Sequence, residues 1–174
     1  SFTATVGSQQ VGTGNHTGFV QFVVDGQPFG DARELSGGQA TSPTVSTLQP
    51  GAHSVSVVYS GDIHFVSALA SITQNVAKIA TTTTLATSAT STSFGQPVTL
   101  TATVDPALDA LGSPSGSVTF LDGSTVLGTV PVAAAPSSNA TASLTLNDLG
   151  AGSHAIKAVY SWSSSFTSST SAVT

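Results

Sequence analysis

The sequence contains the same module twice, and this duplication limits what the chain can fold into. Phe2–Val6 recurs as Leu100–Val104, 98 residues later, and Leu48–Ser60 recurs as Leu149–Ser161, 101 residues later. Strand-like segments are kept while the connections between them change in length. Solenoid repeats have periods of about 20–50 residues, so this longer period indicates small independent domains in tandem, each with its own core.

The predicted domains span residues 1–79 and 80–174. Each is large enough to close a β-sandwich core without metal or disulfide crosslinks, so the absence of cysteine does not argue against stable folding. Few residues separate the last strand of the first domain from Thr81–Leu85, where the second domain begins. We therefore expect a restricted hinge and an elongated, fairly stiff pair.

Charged residues are scarce in this sequence. Three Lys and Arg face eight Asp and Glu, which excludes nucleic-acid binding and a polybasic membrane-surface patch. No stretch approaches the roughly 18 consecutive apolar residues of a membrane helix, so membrane insertion is not expected. Ser and Thr make up about a third of the chain, well above ordinary usage. A hydroxyl-rich surface of this kind is typical of β-rich extracellular modules.

Short strands separated by tight turns recur along the chain. In the segment Val98–Val104 apolar residues alternate with threonine, which is the period-2 pattern of a half-buried antiparallel strand. Asp25-Gly26 and Asp122-Gly123 are predicted hairpin turns. About seven such strands per repeat, with turns every 8–12 residues, predict a Greek-key β-sandwich for each domain. The fold class is therefore all-β, with two sandwiches in tandem.

The first domain lacks its opening strand. The second domain places Thr82–Thr99 before Leu100, whereas the first begins at Phe2, the counterpart of Leu100. Natural proteins avoid unpaired sheet edges, because these promote aggregation. We expect either that the chain belongs to a longer array or that another chain supplies the missing strand.

Several segments resemble a known family. Thr81–Leu85, Phe94–Val104, Gly116–Gly123 and Gly152–Ser161 closely resemble the group-three bacterial immunoglobulin-like repeat, and the first domain follows the same pattern from its second strand onward. The resemblance implies immunoglobulin-like sandwiches in tandem, within large secreted or cell-surface bacterial proteins. It also implies neighbouring repeats as the main partners and an extracellular location.

Four histidines divide into two groups. His53 and His154 follow the tight corner at equivalent positions of the two repeats, which favours an architectural role over metal binding. His16, Asp62 and His64 lie in loops predicted to share one end of the sandwich, and their side chains are of types that bind zinc. Their spacing has no metal signature, so solvated loop residues are the favoured interpretation.

Asp105 and Asp109 are predicted in the loop of the second domain nearest the linker, where the Asp25-Gly26 turn is the other candidate to contribute a carboxylate. Calcium between tandem domains would use such oxygen ligands, although an Asp-Pro turn and a solvated loop aspartate are the favoured interpretation. We expect no resident cofactor, with interdomain calcium as the alternative.

Trp162 is predicted at a loop tip, where it would stack on a sugar, contact a partner protein or pack against a neighbouring loop. Raw material for catalysis is scarce, because there is no cysteine nucleophile and the single Glu34 has no matching partner. The favoured function is a non-catalytic extracellular spacer, such as the stalk of an adhesin-like protein. The alternatives are a filament subunit assembled by strand complementation and a module that binds glycans or proteins.

Overall fold

The computed structural model of the 174-residue chain describes residues 1–7, 14–108, 112–135, 138–161 and 163–174. The regular structure in these ranges is β-strand. The chain divides into two compact units, Ser1–Ala77 and Lys78–Thr174, called the first and second domains below. The strands of the first domain are β1 (Thr3–Thr5), β2 (Phe19–Val24), β3 (Gln27–Pro28), β4 (Arg33–Glu34), β5 (Gln39–Thr41), β6 (Gly51–Tyr59) and β7 (Ala68–Val76).

The second domain is a sandwich of two four-stranded sheets. One sheet has the order β12-β13-β9-β8 and the other the order β11-β10-β14-β15, so the chain crosses between the sheets as in a Greek key. The all-β prediction is confirmed. The strands of the second domain are β8 (Thr81–Thr87), β9 (Val98–Pro106), β10 (Ser117–Asp122), β11 (Thr125–Pro131), β12 (Ala133–Ala134), β13 (Ala140–Leu146), β14 (Ile156–Ser161) and β15 (Ser169–Thr170).

The core of the second domain comes from the alternation seen in the sequence. Every second residue of β9 is buried, beginning with Val98, and those from Val98 to Val104 pack in one cluster with inward-facing residues of the opposite sheet. Leu100 is 1% exposed and Phe120 is fully buried. The fully assembled cluster contains Val98, Leu100, Ala102, Val104, Val118, Phe120, Ala142, Ile156, Ala158, Tyr160 and Phe166.

The first domain repeats this architecture, but among its described residues one of the two sheets has two strands instead of four. β1 pairs with β5, while β2, β6 and β7 form the second sheet together with the short β3 and β4. Its core cluster is smaller and contains Ala4, Val20, Phe22, Leu35, Ala40 and Tyr59. No described residue of this domain occupies the place that β8 holds in the second domain. The prediction that the first sandwich lacks its opening strand is confirmed.

Hydroxyl groups pair across the outer faces of the sheets. These side chains lie opposite one another in the ladders, and their oxygens are 3.0–3.2 Å apart. Cross-strand pairs of this kind stabilise a sheet without any charge, which explains how a chain with so few ionic groups covers its strands. The pairs are Thr3 with Thr41, Thr99 with Thr145, Thr101 with Ser143, and Thr119 with Thr129.

Candidate functional site

A histidine in each domain joins the tight corner to the neighbouring hairpin. In the first domain, His53 Nδ1 lies 2.7 Å from Asp25 Oδ2, and His53 Nε2 lies 2.6 Å from the carbonyl oxygen of Gln49. The other carboxylate oxygen of Asp25 accepts the main-chain N–H of Ser54 at 3.0 Å. The ring therefore links the β2–β3 turn to the segment that leads into β6. We call this arrangement the corner lock.

The second domain contains the same corner lock. His154 Nδ1 lies 2.6 Å from Asp122 Oδ2, and His154 Nε2 lies 2.9 Å from the carbonyl oxygen of Gly150. Asp122 Oδ1 accepts the main-chain N–H of Ala155 at 2.9 Å. The architectural role expected for the two histidines agrees with these contacts, because both rings are used to hold main chain.

The corner lock favours the charged form of the histidines. A carboxylate and a carbonyl oxygen only accept hydrogen bonds, so both ring nitrogens must donate, and only the imidazolium form carries two N–H groups. The hydrogen bond to the carboxylate, followed by the bond to the main-chain carbonyl, raises the pKa of both His53 and His154. The same contact lowers the pKa of Asp25 and Asp122.

The hairpins that carry the two aspartates differ in geometry. Asp25 and Gly26 both have positive φ angles, 50° and 79°, as a type I′ turn requires. In the second domain Asp122 is the last residue of its strand, and Gly123 has a φ of 58°. The lock is nevertheless formed in both domains, so the contact is kept although the turn that presents it has changed.

A tyrosine near the end of β6 and of β14 provides a second contact common to both domains. Tyr59 Oη donates to the carbonyl oxygen of Thr17 at 2.6 Å, and Tyr160 Oη donates to the carbonyl oxygen of Ser115. Both tyrosines are buried in the core, with exposures of 4% and 0%. Each tyrosine holds the segment that precedes β2 or β10. This contact lies at the end of the sandwich opposite to the corner lock.

Asp62 organises the loop after β6. Its Oδ2 accepts the main-chain N–H and the hydroxyl of Thr17, at 2.9 and 3.0 Å, and lies 3.2 Å from Tyr59 Oη, whose single proton is shared between Asp62 and the nearer Thr17 carbonyl oxygen. Its Oδ1 accepts the main-chain N–H groups of His64 and Phe65, both at 2.8 Å. These hydrogen bonds, chiefly that from the Thr17 main chain, hold the pKa of Asp62 far below its usual range.

The three residues weighed as a zinc site have other contacts. The His16 ring stacks on Phe65 with centroids 4.1 Å apart, and His64 donates its main-chain N–H to Asp62. Among the described residues, no group of three or more His, Cys, Asp or Glu side chains is placed to hold a metal ion. The buried Nε2 atom of His16 has no hydrogen-bond partner in that part of the chain.

The residues weighed as calcium ligands lie only partly within the described ranges. Asp25 already binds His53 and Ser54, while Asp105 lies in β9 opposite Thr82. Asp109 lies outside the described residues, so interdomain calcium stays a prediction. Trp162 also lies outside them, and its role in contacting a sugar or a protein stays a prediction as well.

One cavity of about 470 Å³ lies at the corner-lock end of the second domain. It is bounded by the loop after β8, which includes Phe94, and by the corner from Leu149 to His154. Phe94 and Leu100 both line it, the first 74% exposed and the second 1% exposed. Its lining consists of apolar side chains and Ser and Thr hydroxyls, and His154 is the one lining residue with an ionisable side chain.

The partners of the two corner histidines were missed by the sequence reasoning. The Asp-Gly pairs had already been explained as turn residues, and the lock joins residues that are 28 and 32 positions apart. A signal was available, because an Asp-Gly turn and a corner histidine recur together in both repeats. A pair duplicated in this way indicates a mutual contact.

Two sandwiches with this strand order, each closed by the same corner and tyrosine contacts, define a tandem of immunoglobulin-like modules. Residues 1–77 and 83–174 match the family model described as bacterial Ig-like domain (group 3). The chain belongs to this family, and the resemblance found in the sequence is confirmed.

The chain is also similar to the solved structure of Clostridium thermocellum CbhA fibronectin(III)-like modules. The sequence identity is 15% and the TM-score 0.35, over 98% of this chain and 83% of that chain. No curated protein gave a significant match. Within the described ranges, no helix has the length and apolar character needed to cross a bilayer.

Proposed function

We propose that the chain is an extracellular spacer segment of a bacterial repeat protein, whose immunoglobulin-like domains hold a functional part away from a cell surface. Domains of this family are typically non-catalytic and are often extracellular. The observation that carries the proposal is the duplication of the corner lock and the tyrosine contact. The same internal contacts recur in consecutive domains, which suits a segment whose function is to remain folded.

The strands beside the junction support a mechanical role. β7 pairs with β6 over its full nine residues, and β8 pairs with β9 over seven. Tension applied along the chain at the junction reaches β7 and β8 first, so it loads these ladders. Only residues 77–80 separate the two strands, which suits a spacer that limits bending.

Small-angle X-ray scattering of the intact chain tests the spacer proposal. The matched variant carries a flexible Gly-Ser segment inserted between Ala77 and Lys78. We expect an extended particle for the unmodified chain and a shorter, broader distribution of distances for the insertion variant. If the unmodified chain already gives the compact, freely jointed profile, the spacer proposal is wrong.

Filament assembly by identical copies is the weaker alternative. Strand complementation needs a free donor segment, and the strand that would fit the first domain, β8, is paired with β9 over its whole length. Donation between copies would therefore require the second domain to open. Sedimentation of the purified chain distinguishes the two, because a spacer stays monomeric and a filament subunit assembles as concentration rises.

A further inference from the structure

Aspartate followed by glycine is the pair in which a side-chain carboxyl group reacts most readily with its own main chain, because glycine has no side chain to shield the neighbouring nitrogen. Asp25 and Asp122 are the two aspartates of the chain that precede glycine, and both belong to corner locks. A Cβ placed on Gly26 or Gly123 would meet no atom within 4 Å. Steric shielding is therefore equally weak in the two hairpins.

The reaction is a rearrangement that needs only water. At the first pair, the main-chain nitrogen of Gly26 attacks Cγ of Asp25 and loses its proton to solvent, and one carboxyl oxygen leaves as water after taking up protons from solvent. The five-membered succinimide then takes up water at either carbonyl carbon. Opening on one side restores aspartate. Opening on the other side gives isoaspartate, in which the main chain runs through Cγ and the mass is unchanged.

The two hairpins differ in the state of the attacking nitrogen. Gly123 donates its main-chain N–H to the carbonyl oxygen of Ala155 at 2.9 Å, whereas the N–H of Gly26 has no acceptor among the described residues. A bonded N–H must give up its hydrogen bond before the nitrogen attacks, which raises the barrier. The nitrogen that is available for attack is therefore that of Gly26.

The two aspartates also differ in their surroundings. The side chain of Asp25 is 49% exposed and that of Asp122 is 28% exposed. Asp122 is held in β10 by pairing with Thr125 and Ile156, so a longer main chain at this point would disturb two ladders. Asp25 lies in the turn with a φ of 50°, which is disfavoured for residues that carry a Cβ, and the additional CH₂ group of isoaspartate removes this restriction. Both differences favour the reaction at Asp25.

His53 opposes the reaction at Asp25. Its Nδ1 lies 2.7 Å from Oδ2, and the main-chain N–H of Ser54 holds Oδ1 at 3.0 Å. Because both oxygens are held, the carboxyl carbon turns toward the Gly26 nitrogen only when a charge-assisted hydrogen bond is lost. The contact with His53 also lowers the pKa of Asp25, and a carboxylate ion is a poorer electrophile than the neutral acid.

We propose that Asp25 is the site at which this chain forms isoaspartate spontaneously, and that His53 is a positioning residue that slows the conversion. Isoaspartate inserts a CH₂ group into the β2–β3 turn and transfers the free carboxylate to Cα. The carboxylate then no longer lies where His53 holds it, so the conversion opens the corner lock of the first domain. This inference does not depend on the spacer function.

Timed incubation of the full chain at physiological temperature and pH tests the proposal. Peptide mapping with electron-transfer dissociation distinguishes isoaspartate from aspartate by the fragments from its Cα–Cβ bond, so each site is measured separately. We expect isoaspartate to accumulate at Asp25 about fivefold faster than at Asp122, which is the effect of one hydrogen bond on the attacking nitrogen. In concentrated urea the two sites should convert at equal rates, because the difference comes from the fold.

Two substitutions of His53 separate the carboxylate contact from the rest of the corner lock. His53→Asn keeps an N–H donor near the position of Nδ1 and loses the contact with the Gln49 carbonyl oxygen, whereas His53→Ala loses both. Conversion at Asp25 should rise about tenfold in His53→Ala and stay within about twofold of the unmodified rate in His53→Asn. A residue that only supports the corner would give the same raised rate in both variants.

His154→Ala is the matched control in the second domain. It should leave the rate at Asp25 unchanged and raise the rate at Asp122 by less than about twofold, because the N–H of Gly123 stays bonded to Ala155. Far-ultraviolet circular dichroism confirms that each variant is folded before incubation.

Three results would overturn the proposal. Equal rates at Asp25 and Asp122 in the folded, unmodified chain would remove the assignment of the site. An unchanged rate at Asp25 in His53→Ala would remove the retarding role of His53, and equally raised rates in His53→Ala and His53→Asn would reduce that role to general support of the corner. None of these results bears on the scattering test of the spacer function.

Discussion

Replacing Leu100 by alanine should destabilise the second domain by about 3 kcal/mol. Leu100 is 1% exposed, so the three carbons removed by the substitution are fully buried, and their transfer to water costs about 2.4 kcal/mol. The space left behind adds a cavity cost, and buried Leu→Ala substitutions span roughly 2–5 kcal/mol. Leu144, the half-buried residue opposite Leu100 in β13, is able to relax into part of this space, which favours the lower half of that range.

Urea denaturation followed by tryptophan fluorescence measures this change, since Trp162 is the only tryptophan and belongs to the second domain. With a slope of about 1–3 kcal/mol per molar urea, the midpoint should fall by roughly 1–3 M. The matched control is Leu108→Ala, because Leu108 is 57% exposed and its loss should change stability by no more than about 0.5 kcal/mol. A loss below about 1 kcal/mol for Leu100→Ala, or equal losses for both variants, would refute a closed core beneath β8.

Three further predictions concern the loops and corners. Stability should peak between about pH 4 and pH 6.5. The raised pKa of His53 and His154 adds stability below the unfolded value of 6.5, and this stability is lost as pH rises; the lowered pKa of their carboxylate partners adds stability above 3.8, which is lost as pH falls. Urea midpoints from pH 3 to 9 should show the peak, and replacing both histidines by glutamine should remove the decline on its alkaline side. Asp62→Ala should lower the urea midpoint of the first domain more than Asp62→Ser, because serine keeps an acceptor for the loop N–H groups. A midpoint for Asp62→Ala equal to that of the unmodified chain would show that the carboxylate is dispensable. Gly18→Ala should lower the free energy of unfolding by at least about 1–3 kcal/mol, since the φ of Gly18 is 93° and a Cβ would lie 2.6 Å from the Gly61 carbonyl oxygen. Gly14→Ala is the matched control, because Gly14 has a φ of 81° with open space around it and the substitution adds backbone strain alone. Equal losses of stability for the two variants in calorimetry would contradict the close approach.

Most of the fold could be predicted because its signals are local and occur twice. The alternation in Val98–Val104 specifies a strand with one buried face, and the structure buries every second residue of β9. Matching Phe2 to Leu100 also revealed that the opening strand of the first domain is missing. Repetition converts a weak strand signal into a strong one, since two independent copies must satisfy the same pattern.

The contacts of the candidate sites could not be predicted in the same way. The partner of His53 depends on how the β2–β3 turn meets the start of β6, and these segments lie far apart in the sequence. Asp62 has a side chain of a type that binds metals, but its oxygens accept hydrogen bonds from main-chain N–H groups, which carry no sequence signature. Side-chain identity alone therefore suggests a ligand site, although the main-chain N–H groups nearby already occupy the oxygens.

The hydroxyl pairs on the outer sheet faces have a consequence for the conditions that this protein tolerates. Hydrogen bonds between Thr99 and Thr145, or between Thr119 and Thr129, involve no formal charge, so dissolved ions do not screen them. Surface ion pairs weaken as ionic strength rises, whereas these hydroxyl hydrogen bonds contribute equally at low and at high salt. A sheet surface rich in threonine thus suits a protein that meets changing salt concentrations.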